Sequence, residues 1–528
     1  MERYMNVVLK LKDSKSLSEL YFLQNKRLFK FQLTRFYSHK FRILAHTKLF
    51  IQLLAMTSNR RKFLRNITLG TGAIATGLPV LGKDHSTEKD ELSSYAGKSG
   101  FNMSGYAAPK IDKVRIGIIG LGNRGSGAVG RLSFIENAEI VALCDNRPER
   151  IPLAQKTITD KGLPKAKEYT GEEGWKALCE SNDIDFVYIC TPWQLHTPMA
   201  VYAMKNGKHA ASEVPIAVTV DECWQLVETS EKTKKHCMML ENTCYDFFEL
   251  LTLNMARNGL FGELIHAEGA YIHDLLSSNF GKTSYSKMWR LRENEFRNGN
   301  LYPTHGLGPI AQCLDINRGD KMDHMVSMSS NDFMMGATAK EKAAEDPFFN
   351  EFVGKSYRGN MNTSIIRTNK GKTIMLQHDV TSPRPYSRLH LISGTKGVAQ
   401  KYPDPERIAF GHEWIKPEEL KALYDKYTPE IVKHVGDIAK KVGGHGGMDF
   451  MMDWRTIDCL RNGLPLDQDV YDGVLWSVIG PLSEKSVAKN SKTVDVPDFS
   501  RGNWKTNKPV NLTLEGGGNT TVREVKKG

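Results

Sequence analysis

The chain has 528 residues, 40% of them hydrophobic and 25% charged, with a formal net charge of +12. These fractions are those of a soluble globular protein long enough for two ordinary domains plus extensions. The charge removes the case for nucleic acid: residues 1–55 hold 11 Lys/Arg against 3 Asp/Glu, Arg60, Arg61, Lys62 and Arg65 follow, and everything from Ile67 onward sums to about zero.

Met56 stands just ahead of Ser58-Asn-Arg60-Arg61-Lys62-Phe63-Leu64, and the uncharged, weakly apolar Ile67–Leu81 follows. Paired arginines before a modest apolar stretch resemble a twin-arginine export signal over residues 56–85. That implies the twin-arginine machinery as a partner and a periplasmic destination. A basic amphipathic segment or an organellar transit peptide shares the bare pattern. Residues 1–55 read either as a misassigned upstream extension or as an unusual basic n-region. The apolar stretch is too short and glycine-rich for a strong membrane span. Residues 86–111, rich in Ser, Gly, Lys and Asp, read as a flexible arm.

Val114–Ile119 predicts a buried strand, and it runs into Gly120-Leu-Gly122-Asn123-Arg124-Gly125 and a helical stretch. A second strand, Ala138–Cys144, closes on Asp145. This layout cradles a dinucleotide. Gly120 makes the tight turn, Gly122 lets the backbone approach the pyrophosphate, and Gly125 lets helix and strand pack closely. Asp145 stands where a carboxylate binds the ribose hydroxyls of NAD. The pattern continues with a strand over 184–190 ending in Thr191-Pro192-Trp193. A helix over 198–206 closes on Gly207, and a strand at 209–212 ends in Glu213-Val214-Pro215. A further strand runs from Cys237 to Asn242. Repeated βα units of this kind predict an α/β protein whose first domain, residues 112–243, is a doubly wound parallel Rossmann sheet.

After Asn242 the pattern changes. A helix over about 245–259 is followed by alternating stretches at Leu264–Ile272, Thr373–Asp379 and 389–397. They predict a second α/β domain over residues 244–490 with a large open, mainly antiparallel sheet. Late helices at about 446–462 and 468–489 pack back on the body, and residues 491–528 form a tail. The eight cysteines show no metal-binding or redox spacing, and several fall in strand-like runs as small core residues. No metal site is expected.

The order of these features resembles the Gfo/Idh/MocA oxidoreductase superfamily over about residues 112–490. More narrowly it resembles the NAD-dependent α-N-acetylgalactosaminidases of glycoside hydrolase family 109. The segments carrying this likeness are 121–125, Thr191-Pro-Trp193-Gln194-Leu195-His196, Ser212-Glu213-Val214-Pro215, Glu241-Asn242, Trp289-Arg290, Asn300-Leu-Tyr302-Pro303-Thr304-His305 and Gly443-Gly-His445-Gly-Gly-Met-Asp449. Two departures from the superfamily's dehydrogenases point the same way. Val214 stands where they usually carry lysine, and Leu301 stands where they usually place an acid four residues before the histidine.

The resemblance implies hydrolysis of terminal α-linked N-acetylgalactosamine without the usual paired carboxylates. In that family bound NAD⁺ takes hydride from C3 of the sugar. The resulting ketone acidifies the C2 hydrogen, a base expels the C1 substituent by elimination, water adds at C1, and the hydride returns. Matched by motif, Gly120, Gly122, Asn123, Arg124, Gly125, Asp145, Trp193, Gln194, Leu195, His196, Glu213, Val214 and Asn242 fall at cofactor positions. Tyr271, Arg290, Tyr302, Pro303, Thr304, His305 and Tyr386 fall at substrate positions. His305 is the expected principal acid/base, assisted by Tyr302 and Glu213. As isolated residues His196 reads as structural, Tyr271 and Trp289 as core aromatics, and His445 as part of a glycine-rich helix entry. An exported NAD(P)-dependent sugar dehydrogenase is the alternative reading. An open sheet face makes a homo-oligomer an expected assembly.

Overall fold

The computed structural model describes residues 100–510 and 512–524. The basic extension expected over 1–55, the export signal expected over 56–85 and the first part of the expected arm lie outside the described residues. Six strands form the first sheet: β1 (Val114–Ile119), β2 (Ala138–Asp145), β3 (Lys167–Thr170), β4 (Phe186–Ile189), β5 (His209–Ser212) and β6 (Cys237–Met239). They pair in parallel in the order β3-β2-β1-β4-β5-β6. β1 and β4 are covered on both faces, which is why they read as near-continuous apolar runs. The connections reverse direction between β1 and β4, and a crevice opens beyond the carboxyl ends of the strands there.

The second sheet has eight strands: β7 (Leu264–Ile272), β8 (Met322–Ser329), β9 (Asn362–Thr368), β10 (Thr373–Asp379), β11 (Leu391–Gly394), β12 (Val398–Gln400), β13 (Arg407–Ala409) and β14 (Val494–Asp495). Their order is β13-β12-β11-β7-β10-β9-β8-β14. The sheet is mainly antiparallel, as its alternating stretches predict, with one parallel pair. β7 and β10, the two strands read most clearly from alternation, lie parallel to each other at its centre. A connection of 100 residues, 273–372, separates them, well beyond the dozen or so that parallel pairing requires.

One face of this sheet packs on the helices Thr304–Cys313 and Val470–Ala488. Gly269 of β7 and Gly306 of the first of these helices meet backbone to backbone. A Cβ on Gly306 would lie 2.2 Å from Ala270 N, and one on Gly269 would lie 2.4 Å from Gly306 O. That contact seats the first turn of the helix, and with it His305, against β7 beside Tyr271. The helix Met448–Asn462 packs instead on β1 and the helix Asn123–Leu132 of the first domain.

Residues 100–111, expected to belong to a flexible arm, are fastened to the body. Met103 and Ala108 are buried, Met103 N donates to the Tyr471 hydroxyl at 3.1 Å, and Ile111 N donates to Leu460 O at 3.2 Å. Two apolar anchors inside a polar segment overrule its composition. The tail adds β14 to the sheet and returns to the first domain, where Glu136 N donates to Thr521 O at 3.0 Å.

Candidate active site

At the reversal point lies a cavity of about 660 Å³. The carboxyl ends of the parallel strands supply its floor: Gly120 after β1, Asp145 at the end of β2, Cys190 after β4, Glu213 after β5 and Asn242 beyond β6. The second domain supplies its roof from β7, the segment Thr283–Arg290 and the start of the helix Thr304–Cys313.

The glycine turn is built by close approach. Gly120 takes φ +86°, and a Cβ there would meet Cys190 O at 2.7 Å; on Gly125 it would lie 1.8 Å from Gly120 O. Gly122 differs, because a Cβ there would meet nothing within 4 Å. It borders the open cavity, so what its missing side chain spares is room for a ligand. The helix behind it starts with no side-chain cap and no acid in its first turn. Its first N–H groups and positive dipole end are left to an anion. A cradle of this shape fits a dinucleotide pyrophosphate. Asp145 Oδ2 accepts from Leu121 N at 2.7 Å and its Oδ1 from Arg147 N at 2.8 Å. The carboxylate thus ties strand end to turn while keeping lone pairs for ribose hydroxyls. Trp193, Gln194, Leu195, His196 and Val214 line the adjoining wall. Both ring nitrogens of His196 are occupied, lying 2.7 Å from Pro215 O and 2.7 Å from Thr191 O. Its part is to brace the wall.

At the other end, near β5 and β6, aromatic and charged side chains converge. The Tyr302 ring sits 4.6 Å from that of Tyr271, 4.9 Å from His305 and 5.7 Å from Trp193, centre to centre. Burial, then Tyr271, push the Tyr302 phenol well above its ordinary range, with Arg290 opposing. That favours the protonated phenol, which can donate a hydrogen bond. The buried Arg290 guanidinium lies 5.0 Å from the Tyr302 ring centre and 5.3 Å from that of Trp193, and Nη1 donates to the Tyr285 hydroxyl at 3.1 Å. Nη2 is buried with no partner, a donor held ready for a ligand oxygen.

Glu213 accepts from Arg124 Nε at 2.7 Å, and Arg124 Nη1 donates to Asp449 Oδ2 at 3.0 Å. Asp449 also accepts from Asn242, lies 2.9 Å from His445 Nδ1 and 3.4 Å from Arg131 Nη1. Burial pushes its carboxyl up, but His445, Arg124 and Arg131 hold it well below the usual carboxylate range. This cluster locks the helix Met448–Asn462 to the glycine turn.

Four motif-matched residues do not line the cavity: Gly125, which packs on Gly120 within the turn, Pro303, Thr304 and Tyr386. Thr304 and Pro303 are buried behind it, because the first turn of their helix directs them into the core. Tyr386 stands on the rim, 4.9 Å from the His273 ring and 6.2 Å from Tyr271. Two acids of the motif segments gain a role only in the fold: Asp449, and Glu241, whose Oε1 lies 2.6 Å from His305 Nδ1. Only long-range contact reveals them, since they meet partners 325 and 64 residues away.

Cavity and topology together define an NAD-binding Rossmann protein of oxidoreductase fold. Residues 114–241 match the description "Oxidoreductase family, NAD-binding Rossmann fold", and residues 245–506 match "Glycosyl hydrolase 109, C-terminal domain". The chain belongs to glycosyl hydrolase family 109. A family 109 protein of Shewanella pealeana is 46% identical over 465 residues, covering 87% of this chain and 99% of that protein. A Bacteroides fragilis protein named alpha-N-acetylgalactosaminidase is 50% identical over 411 residues, 76% of this chain and 96% of that one. Among solved structures, a levoglucosan dehydrogenase complexed with NADH and L-sorbose superposes with TM-score 0.54 at 19% identity, over 74% of this chain and all of that one. A scyllo-inositol dehydrogenase of Lactobacillus casei with bound NAD(H) and scyllo-inositol gives 0.52 at 15% identity, over 73% of this chain and all of that one. At such identities those two speak for the fold.

Proposed function

We propose that the protein releases terminal α-linked N-acetylgalactosamine from glycans in a redox-neutral hydrolysis: transient oxidation at C3, elimination across C1–C2, addition of water at C1 and reduction back to the starting oxidation level. The observation that carries this reading is the makeup of the cavity's second end. Val214 on the cavity wall and the buried Leu301 stand at the sequence positions where the related dehydrogenases carry lysine and an acid, and His305, Tyr302 and Arg290 line the cavity. The 50% identical relative named alpha-N-acetylgalactosaminidase supports the sugar.

NAD, when bound, supplies reversible hydride exchange with a sugar carbon. The chain's own residues do the rest. The glycine turn and Asp145 hold the dinucleotide across the strand ends. His305 takes and returns protons at the sugar, at the C3 hydroxyl or at C2. Tyr302 donates a hydrogen bond to a sugar oxygen. Glu213, held in place by its hydrogen bond from Arg124, accepts one from a hydroxyl. The unpartnered Nη2 of Arg290 donates to an oxygen that gains negative charge as the carbonyl and its enolate form. Trp193, Tyr271 and Trp289 keep water from that end.

Export through the twin-arginine route belongs to the same reading, because that route carries folded protein with a resident cofactor. Self-association through the outer face of the eight-stranded sheet, where Ile365 and Met328 stand exposed, is a further part of it. The test is release of p-nitrophenol from its α-N-acetylgalactosaminide, with and without added NAD⁺, while absorbance at the NADH band is followed. Hydrolysis without net NADH is expected. Steady NADH formation from free sugar with no hydrolysis would move the protein to an exported sugar dehydrogenase.

A further inference from the structure

His305 would be a poorly defined base if its ring were free to choose a tautomer, and the residues behind it leave no such choice. Glu241 closes the segment after β6 and is fully buried. Its Oε1 accepts from Thr243 N at 3.2 Å and from the Thr243 hydroxyl at 2.7 Å, and its backbone carbonyl accepts from Gln468 Nε2 at 2.9 Å. The side chain therefore has one place to be, and there Oε1 lies 2.6 Å from His305 Nδ1. Burial pushes the Glu241 carboxyl up, but the His305 ring, with Thr304 and Thr243, brings it below its ordinary value. The Thr304 hydroxyl helps without closing a hydrogen bond of ordinary geometry, and Glu241 Oε2 has none. An ionised carboxylate only accepts, so Nδ1 must carry the proton.

We propose that Glu241 is the positioning residue of His305, fixing the Nδ1–H tautomer and leaving Nε2 as the proton acceptor on the cavity side. The Thr243 hydroxyl also lies 3.0 Å from His305 O, so its single proton is shared between the Glu241 carboxylate and the His305 carbonyl. The pair takes over the proton-handling place left by Val214 and Leu301, where lysine and acid are missing. The other groups facing the ring are Tyr271 and Tyr302. Arg290, His445 and Glu213 with its Arg124 line the same cavity, and His273 Nδ1 lies 3.0 Å from the Tyr271 hydroxyl. None of them reaches Nδ1, so the tautomer is set by Glu241. For the identity of the proton moved, the proposal rests on the glycosidase reading; for the pairing itself it does not.

Two measurements on the NAD-loaded enzyme test it. In protein carrying ¹⁵N-labelled histidine, with the signal assigned through His305→Gln, the neutral ring is expected to show a protonated Nδ1 and a bare Nε2. A neutral ring protonated at Nε2 would overturn the proposal. In Glu241→Gln, which keeps shape and an acceptor but removes the charge, kcat is expected to fall by about 10²-fold with KM and NAD content unchanged. An unaltered kcat would contradict the assignment. Should that variant not fold, the wild-type ring signals decide alone. Wild-type enzyme with the Nδ1–H ring but no activity on the galactosaminide would overturn the substrate reading and leave the pairing standing.

Discussion

The two ends of the cavity are built by different means. The dinucleotide end is made of backbone: two glycines forced by close approach, a third that leaves room, and an uncapped helix start, all within residues 120–125 plus Asp145. The sugar end is made of side chains gathered from β5, β6, β7, two helices and the loop at 443–447, and it is held by buried ion pairs between distant segments. A local turn can be placed with few long-range constraints. A convergent cluster depends on every packed element that aims it, so the two ends should fail differently under mutation.

The largest effect is expected at the sugar end. In His305→Ala, hydrolysis should fall by about 10³-fold or more, yet NAD should stay bound, because the seat of that helix is the Gly269–Gly306 contact and not the imidazole. Joint loss of NAD and activity, by absorbance of the denatured extract, would mean that the two ends are not separable.

Asp449→Asn tests the bridge between the ends. The folded carboxyl is depressed, so its stabilising contribution is complete above the unfolded value near ~3.9. It is lost as pH falls through the lower folded value. Denaturant unfolding should therefore show the variant weaker by about 3 kcal/mol at pH 7 and nearly level with wild type in strong acid. An equal deficit at both pH values would show that the carboxylate's charge is not what matters.

Gly122→Val sharpens the contrast at the other end. Gly122 has a negative φ of −73° and no neighbour for a Cβ, so the apo fold should melt as wild type does. The NAD dissociation constant should rise by about 100-fold, about 2.7 kcal/mol. Unchanged titration calorimetry would mean that this wall is not where the dinucleotide lies. The smallest change is expected in Tyr386→Phe, whose hydroxyl reaches only Arg388 at 3.4 Å. KM should move by about 2-fold, as befits a residue of the rim.

The same contrast governs what could be read in the sequence. β1 and the glycine turn are contiguous, Asp145 closes the very next strand, and β7 and β10 alternate cleanly, so the strand bounds agree with the runs at 114–119, 264–272 and 373–379. β3, Lys-Glu-Tyr-Thr at an exposed sheet edge, carries no apolar signal. β8 and β9 bury polar side chains. Ser327 and Ser364 hydroxyls meet at 3.0 Å, and Asn362 joins them. Their inward rows therefore do not look like core. At the site, the motif likeness reached His305, Tyr302 and Arg290. Glu241 and Asp449 acquire meaning only from partners far along the chain, and Pro303 and Thr304 lost their place to the geometry of a helix start.

The elimination step is the centre of the proposed chemistry, and the solvent isotope tests it most directly. Hydrolysis of the α-N-acetylgalactosaminide is run in D₂O and the released sugar is examined by NMR. Proton loss at C2 followed by return from solvent is expected to leave deuterium at C2, with the original hydrogen kept at C3. A released sugar carrying its original hydrogen at C2 would contradict elimination and point to direct displacement at C1.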